Sequence, residues 1–211
     1  VQAGEKLYLL GGLGPVGDRF TRIDSRDARN RTVANGGSTE RMEAMASVEI
    51  VDLATRTVVR GPEMLEAKQQ FAAVQAGGKI YVLGGTQERD GQRSVTNSVE
   101  VLDVVSGKWS RGKPAPTPRS SVAVLVDGGF VLYPGGYTGR RALTDVDMFN
   151  PRDGTWRSLP PLGKSMSSHS VVFLGHHLFL FGDYDHPEEL MAYDLKTRES
   201  EVFTLGYTNA R

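Results

Sequence analysis

Residues 79–109, KIYVLGGTQERDGQRSVTNSVEVLDVVSGKW, decide how this chain folds. Ile80–Leu83 is a short apolar run closed by Gly84-Gly85, which reads as a buried strand. After a polar loop, Val99, Val101 and Val104 bracket acidic positions and read as a half-exposed strand. Ser106-Gly107 supplies a tight turn, and Trp109 opens another short strand. Upstream, Phe71–Val74 ends at Gly77-Gly78. Residues 68–113 therefore read as four strands and no helix.

The design recurs. KLYLLGG, KIYVLGG, FVLYPGG and LFLFGD end at Gly11-Gly12, Gly84-Gly85, Gly135-Gly136 and Gly182-Asp183. A period of roughly 50 residues, lengthened in the first interval by an insertion, marks a repeat architecture. The third unit, with DVDMFNPRDGTW, repeats the second: Trp109 and Trp156 each lie six residues after an Asp or Asn, Asp103 and Asn150. The first and fourth units carry Val58 and Ser200 at that offset. A four-stranded sheet of this kind has two apolar faces that only neighbouring sheets can cover. Both tryptophans are expected to pack between sheets.

Composition narrows the function classes. The 211 residues are 39% hydrophobic and 24% charged, with 25 glycines and zero formal net charge, as in a turn-rich globular protein. No overall field draws this chain to nucleic acid or an anionic membrane. With no cysteine, disulfides, thiolate metal sites and a Cys nucleophile are excluded from these residues. The longest apolar run, Val171–Phe181, is interrupted and too short to span a bilayer as a helix. Asn30-Arg31-Thr32 is a glycosylation sequon, relevant only to a secreted eukaryotic protein. Nothing here assigns a compartment.

A glycine pair after an apolar strand, an acidic-flanked strand and a spaced tryptophan resemble the kelch repeat. The resemblance covers the chain apart from the insertion near 13–46. It implies an all-β fold, a β-propeller of four-stranded antiparallel kelch blades. The expected blades span about 1–67 (with an inserted loop 13–47), 68–118, 119–165 and 166–207. Because the resembled propellers usually have more blades, four imply part of a larger ring. That ring would be completed by more of the same chain or by a second chain; a closed four-bladed ring is the remaining alternative.

Propellers carry function on loops at the channel ends. The loops after the glycine pairs vary most. The first is the insertion, with Arg19, Arg22, Arg26, Arg29, Arg31 and Arg41. The second holds Arg89 and Arg93, the third Tyr137, Arg140 and Arg141, the fourth Asp183, Tyr184, Asp185 and His186. Lys68 and Arg119, on inter-blade connections, are expected at the same end. Arginine binds carboxylates bidentately and aromatics anchor contacts. Arg93, Arg119, Tyr137, Arg140, Arg141 and Tyr184 are thus the candidate contacts for a protein or peptide partner. The alternative is a carbohydrate-binding or sugar-isomerising propeller similar to sialic acid mutarotases, with Arg and acidic side chains converging at the channel mouth. The copper oxidases of this architecture need a cysteine, and the iron-dependent specifier proteins a Glu-x-x-x-Asp-x-x-x-His pattern; the sequence has neither. No catalytic, metal or cofactor site is assigned, and whether Asp183, Asp185 and His186 hold a cation stays open. His169, His176 and His177 are read as satisfied structural histidines.

Overall fold

The computed structural model describes residues 1–15, 42–89 and 92–206. The arginines at 19–41, the sequon and Arg211 lie outside them. The first sheet joins β1 (Gln2–Ala3), β2 (Lys6–Pro15), β3 (Met42–Asp52) and β4 (Thr57–Arg60). The second begins with β5 (Ala72–Ala76) and β6 (Lys79–Leu83); after the hairpin of β7 (Thr86–Arg89) and β8 (Gln92–Val95), it adds β9 (Val99–Asp103) and β10 (Lys108–Arg111). The third joins β11 (Leu125–Asp127), β12 (Phe130–Pro134), β13 (Val146–Asn150) and β14 (Thr155–Leu159). The fourth joins β15 (Ser170–Leu174), β16 (His177–Phe181), β17 (Glu189–Asp194) and β18 (Ser200–Thr204). Every pairing is antiparallel.

Two expected loops differ. The ends of the insertion are strand, with Gly12 opposite Met45 and Gly14 opposite Glu43 beyond a register shift after Leu10. The polar loop after Gly85 is a hairpin, because Thr86 and Val95, then Glu88 and Arg93, pair across it.

Strand periodicity explains the continuous apolar runs. Successive side chains of a strand face opposite ways. Ile80 and Val82 of β6 pack with Tyr8, Val48 and Met64 of the first sheet and its connection, and Trp109 leans on this cluster. Tyr81 and Leu83 face the third sheet, joining Val131, Tyr133, Phe149 and Trp156. Leu132 points the other way, towards Leu178, Leu180, Met191 and Tyr193 of the fourth sheet. An interior blade is buried on both faces, so KIYVL has no polar side.

Each tryptophan also ties its outer strand to the preceding connection. The indole nitrogens of Trp109 and Trp156 donate to the carbonyls of Pro62 (2.8 Å) and Lys113 (3.0 Å). The glycine pairs make a matching seam at the other side of the sheets. Gly12, Gly85 and Gly136 donate backbone N–H bonds to the carbonyls of Lys68, Arg119 and Met166 at 3.3, 2.9 and 2.8 Å. Both glycines of the second pair have positive φ, +63° at Gly84 and +101° at Gly85. A Cβ on Gly84 would stand 2.2 Å from the Arg119 carbonyl, so only glycine permits this approach.

The recurring Asp or Asn is a turn cap. Oδ1 of Asp52, Asp103, Asn150 and Asp194 accepts from backbone N–H groups two or three residues on, at the end of the third strand of each sheet. This Asx geometry fixes the hairpin that brings the tryptophan back against its blade.

Candidate functional site: a cleft between the second and third blades

The loops following the glycine pairs emerge beside the connections that enter each first strand. Thr86 follows Gly85, and its backbone exchanges two hydrogen bonds with Gln69 (2.8 and 3.0 Å). Tyr137 follows Gly136 and does the same with Ser120 (2.8 and 2.9 Å). The third loop then turns tightly: Thr138 Oγ1 accepts from the N–H groups of Arg140 and Arg141, and Thr138 N–H donates to the Arg141 carbonyl. Gly139, at φ +89°, leaves no room for a Cβ beyond 3.2 Å from Val95 of the β7–β8 hairpin. The two loops stand against one another.

Between them lies an open cleft of about 480 Å³, bordered by Gln70, Thr86, Arg93, Ser120, Tyr137 and Arg140 among others. Three of the sequence-predicted residues, Arg93, Tyr137 and Arg140, are thereby brought together. Arg93 is mostly exposed and meets Glu88 at 3.3 Å, while Tyr137 presents a partly exposed ring. Arg141 is exposed on the same loop but does not border the cleft. Tyr184, 78% exposed, stands apart on the fourth blade. The polar residues Gln70, Thr86 and Ser120 on the cleft's border were not singled out from the sequence. Each follows a connection cation or a glycine pair by one or two residues, a positional signal available only once the repeat is aligned.

Arg119 requires a correction: it is fully buried and no partner reaches it. Its guanidinium meets Asp147 Oδ2 at 2.5 Å and donates to the carbonyls of Tyr133 and Gly135, both at 3.1 Å. It also lies 4.7 Å from the centre of the Tyr133 ring. Lys68, expected at the same rim, is likewise buried, 2.7 Å from Glu100 Oε1 and 3.3 Å from Glu66 Oε2. Burial pushes Glu66 upward, yet hydrogen bonds from Arg111 and Ser98 and the charge of Lys68 outweigh it and hold the carboxyl at about 2. Glu100 pairs with Val82 and Asp147 with Tyr133, each opposite the residue two before a glycine pair, so the two ion pairs occupy one repeat position. In the fourth blade that position is filled by Met166 and Met191, both buried. The connection cations are struts of the blades.

The fourth blade departs elsewhere too. Asp183 replaces the second glycine, is 4% exposed, and accepts the Ser167 N–H at 2.7 Å. It does not gather with Asp185 and His186 into a cation site; the neighbouring cluster is His186, Glu188 and Glu189, with Glu189 held by Lys164 at 2.5 Å. The buried His169 has neither ring nitrogen in good hydrogen-bond geometry, so it is at best weakly satisfied; burial lowers its pKa to about 4, against the opposing effects of Asp183 and a weak contact with the Pro134 carbonyl. His176 and His177, in the turn between β15 and β16, are half-exposed beside Asp194.

Antiparallel four-stranded sheets stacked face to face, locked by glycine-pair seams, define a kelch-type β-propeller. The family model described as the KLHDC2/KLHL20/DRC7 Kelch-repeats domain matches residues 1–183, and the chain belongs to the kelch-repeat family. Among curated proteins, it is 27% identical over 199 residues to Kelch-like protein 34 of Homo sapiens, covering 91% of this chain and 28% of that protein. It is 25% identical over 186 residues to Kelch-like protein 25 of Mus musculus, covering 84% and 30%. It is 28% identical over 148 residues to Beta-scruin of Limulus polyphemus, covering 67% and 16%. The chain thus spans under a third of these three relatives. Among solved structures, that titled "Structure of YjhT", a kelch-type propeller, superposes with a TM-score of 0.68 at 13% identity, over 78% of this chain and 60% of that one.

Proposed function

We propose that this propeller segment is a binding module that takes an acidic segment of a protein or peptide partner in the cleft between the second and third blades. The observation that carries the reading is the convergence of Arg93, Arg140 and the Tyr137 ring on one open cleft with polar neighbours. Two guanidinium groups on opposite walls offer paired N–H donors to carboxylates, and the tyrosine offers an aromatic anchor with few rotatable bonds. Gln70, Thr86 and Ser120 on its border supply neutral donors and acceptors for a peptide backbone. Membership of a family rich in protein-binding propellers supports the same reading.

A sugar-isomerising site would bring acidic side chains into the cleft to face the arginines; among the described residues bordering it none is a carboxylate, and Glu88 meets Arg93 from the β7–β8 hairpin outside that border. The observations therefore favour a partner that supplies the negative charge.

The test is a fluorescence-anisotropy screen of the chain against Glu- and Asp-rich peptide pools. Binders are expected to weaken at least tenfold with Arg93→Ala plus Arg140→Ala, and to weaken as salt rises. The thermal midpoint should hold, because both side chains are exposed. A binder whose affinity ignores both substitutions would remove the cleft from the proposal.

A further inference from the structure

The opposite end of the fourth blade carries a cluster that the peptide-binding reading does not use. There the β15–β16 turn, Gly175-His176-His177, lies over the end of β17 at Asp194, with His177 and Asp194 as cross-strand partners. The two imidazole rings are 4.2 Å apart between centroids. Nε2 of His176 and Nε2 of His177 both turn towards Asp194 Oδ2, at 3.3 and 3.5 Å.

We propose that His176, His177 and Asp194 form a binding site for a divalent transition-metal ion of the zinc class, with water completing the coordination. The distances carry the argument. Zinc bonds of about 2.0–2.1 Å at tetrahedral angles separate neighbouring ligand atoms by about 3.3–3.4 Å. The His176–Asp194 separation sits at that spacing and the His177–Asp194 separation within about 0.2 Å of it, and both are long for a direct hydrogen bond. All three ligand atoms lie within 4.8 Å of one another.

The donor set selects the ion. Two imidazoles and one carboxylate suit zinc, cobalt, nickel or copper rather than magnesium or calcium, which take oxygen ligands. The carboxylate is also held in place. Oδ1 of Asp194 is occupied by the N–H groups of Lys196 (2.6 Å) and Thr197 (3.2 Å), which aims Oδ2 at the histidines. Such an outer hydrogen-bond shell is what orients a metal ligand. Although burial acts against ionisation, these amides and the two histidines outweigh it and lower the Asp194 pKa.

The other blades show that the histidines are particular to this one. The aspartate cap recurs as Asp52, Asp103 and Asn150, but the residues in register with His177 are Lys6, Lys79 and Phe130. A lysine there would satisfy the charge of the aspartate. Here one divalent ion would satisfy both imidazole nitrogens and the carboxylate at once.

The experiment titrates the 211-residue chain with Co²⁺, following visible ligand-field absorption, and then displaces Co²⁺ with Zn²⁺. One equivalent should bind with the intense bands of four-coordinate cobalt, and zinc should abolish them. His177→Gln and Asp194→Asn should each weaken binding at least tenfold. His186→Gln, in the other His-and-carboxylate cluster, should bind like the parent. The Asp194→Asn chain keeps the turn cap, as Asn150 does in the third blade, and an unchanged thermal midpoint checks this. Absence of saturable Co²⁺ binding overturns the proposal. So does binding that survives both His177→Gln and Asp194→Asn, or binding lost with His186→Gln.

Discussion

Replacing the buried Arg119–Asp147 pair by two methionines should leave the propeller nearly as stable as the parent, while either single replacement should damage it badly. The fourth blade motivates the exchange, since Met166 and Met191 already occupy the equivalent positions in its core. Arg119 is wholly buried and Asp147 is 2% exposed. Asp147→Met strands a guanidinium that cannot shed its proton, with backbone carbonyls, those of Tyr133, Gly135 and more distantly Asp145, left to receive its donors. Breaking a buried pair in this way costs about 3–5 kcal/mol. Arg119→Met should cost somewhat less, because Asp147 keeps the hydrogen bond from the Ser158 hydroxyl at 2.7 Å.

The double replacement strands no charge, and the larger methionine at 147 fills space the guanidinium vacates. Well-packed apolar substitutes for buried pairs are commonly neutral or stabilising. Loss of the carbonyl hydrogen bonds, of the Ser158 hydroxyl's bond to Asp147 and of the ring contact with Tyr133 opposes this by roughly 0.5 kcal/mol each. The double variant should therefore lie within about 2 kcal/mol of the parent, with a coupling energy of about 3 kcal/mol or more. Urea unfolding of the four chains, followed by tryptophan fluorescence, measures it. Single variants within about 1 kcal/mol of the parent, or additive effects, would refute the view that this pair is a self-compensating strut.

Three further outcomes follow from the blades. His169 stays neutral in the fold with a pKa near 4 but titrates at an ordinary 6.5 when unfolded, so its contribution of about 3 kcal/mol is complete above pH 6.5 and is lost as pH falls towards 4. His169→Phe, copying Phe71 at the same place in the second blade, should flatten the dependence of the thermal midpoint between pH 6.5 and 4.5; an unaltered slope would reject the assignment. Trp156→Ala should cost about 3 kcal/mol by urea unfolding, because it empties contacts with Tyr133 and Phe149 and frees the Lys113 carbonyl, whereas Trp156→Phe should cost about half that. Gly85→Ala should destabilise by more than about 2 kcal/mol, since its new Cβ would sit 2.8 Å from Phe71 and 2.9 Å from the Gln69 carbonyl at a left-handed φ.

The blade was legible because its signals are local and repeated. Glycine pairs, the Asp or Asn cap and the tryptophan each satisfy one backbone or packing requirement, and their recurrence, the cap in four units, the glycine pair in three and the tryptophan in two, makes coincidence untenable. The β7–β8 hairpin escaped notice because Gln87, Glu88, Gln92 and Arg93 carry no apolar alternation: its pairing serves a rim rather than a core. Arg119 was misplaced for the converse reason. A charged residue next to Pro118 at the start of a connection reads as solvent-facing, and nothing within ten residues shows the carboxylate that neutralises it. Asp147 lies 28 residues away and reaches Arg119 only through the β12–β13 pairing.

The same long-range pairing separates what holds the propeller together from what it can offer a partner. A cation at the head of a first strand is drawn inward whenever the third strand of its own blade presents an acid, as Glu100 and Asp147 do. Arg93 and Arg140, in the loops after the second and third glycine pairs, have no such acid beneath them, because there the pair has carried the chain beyond the third strand of its own four-stranded sheet. Lys68 and Arg119 obey the first condition, Arg93 and Arg140 the second, although all four are basic residues near one end of the molecule. The discriminating feature is the residue opposite the position two before the glycine pair. Where it is acidic the connection cation is structural, and where it is methionine, as at Met191, the connection residue is apolar as well. Reading those positions together removes the buried cations from the candidate contacts and leaves Arg93, Tyr137 and Arg140 around the cleft.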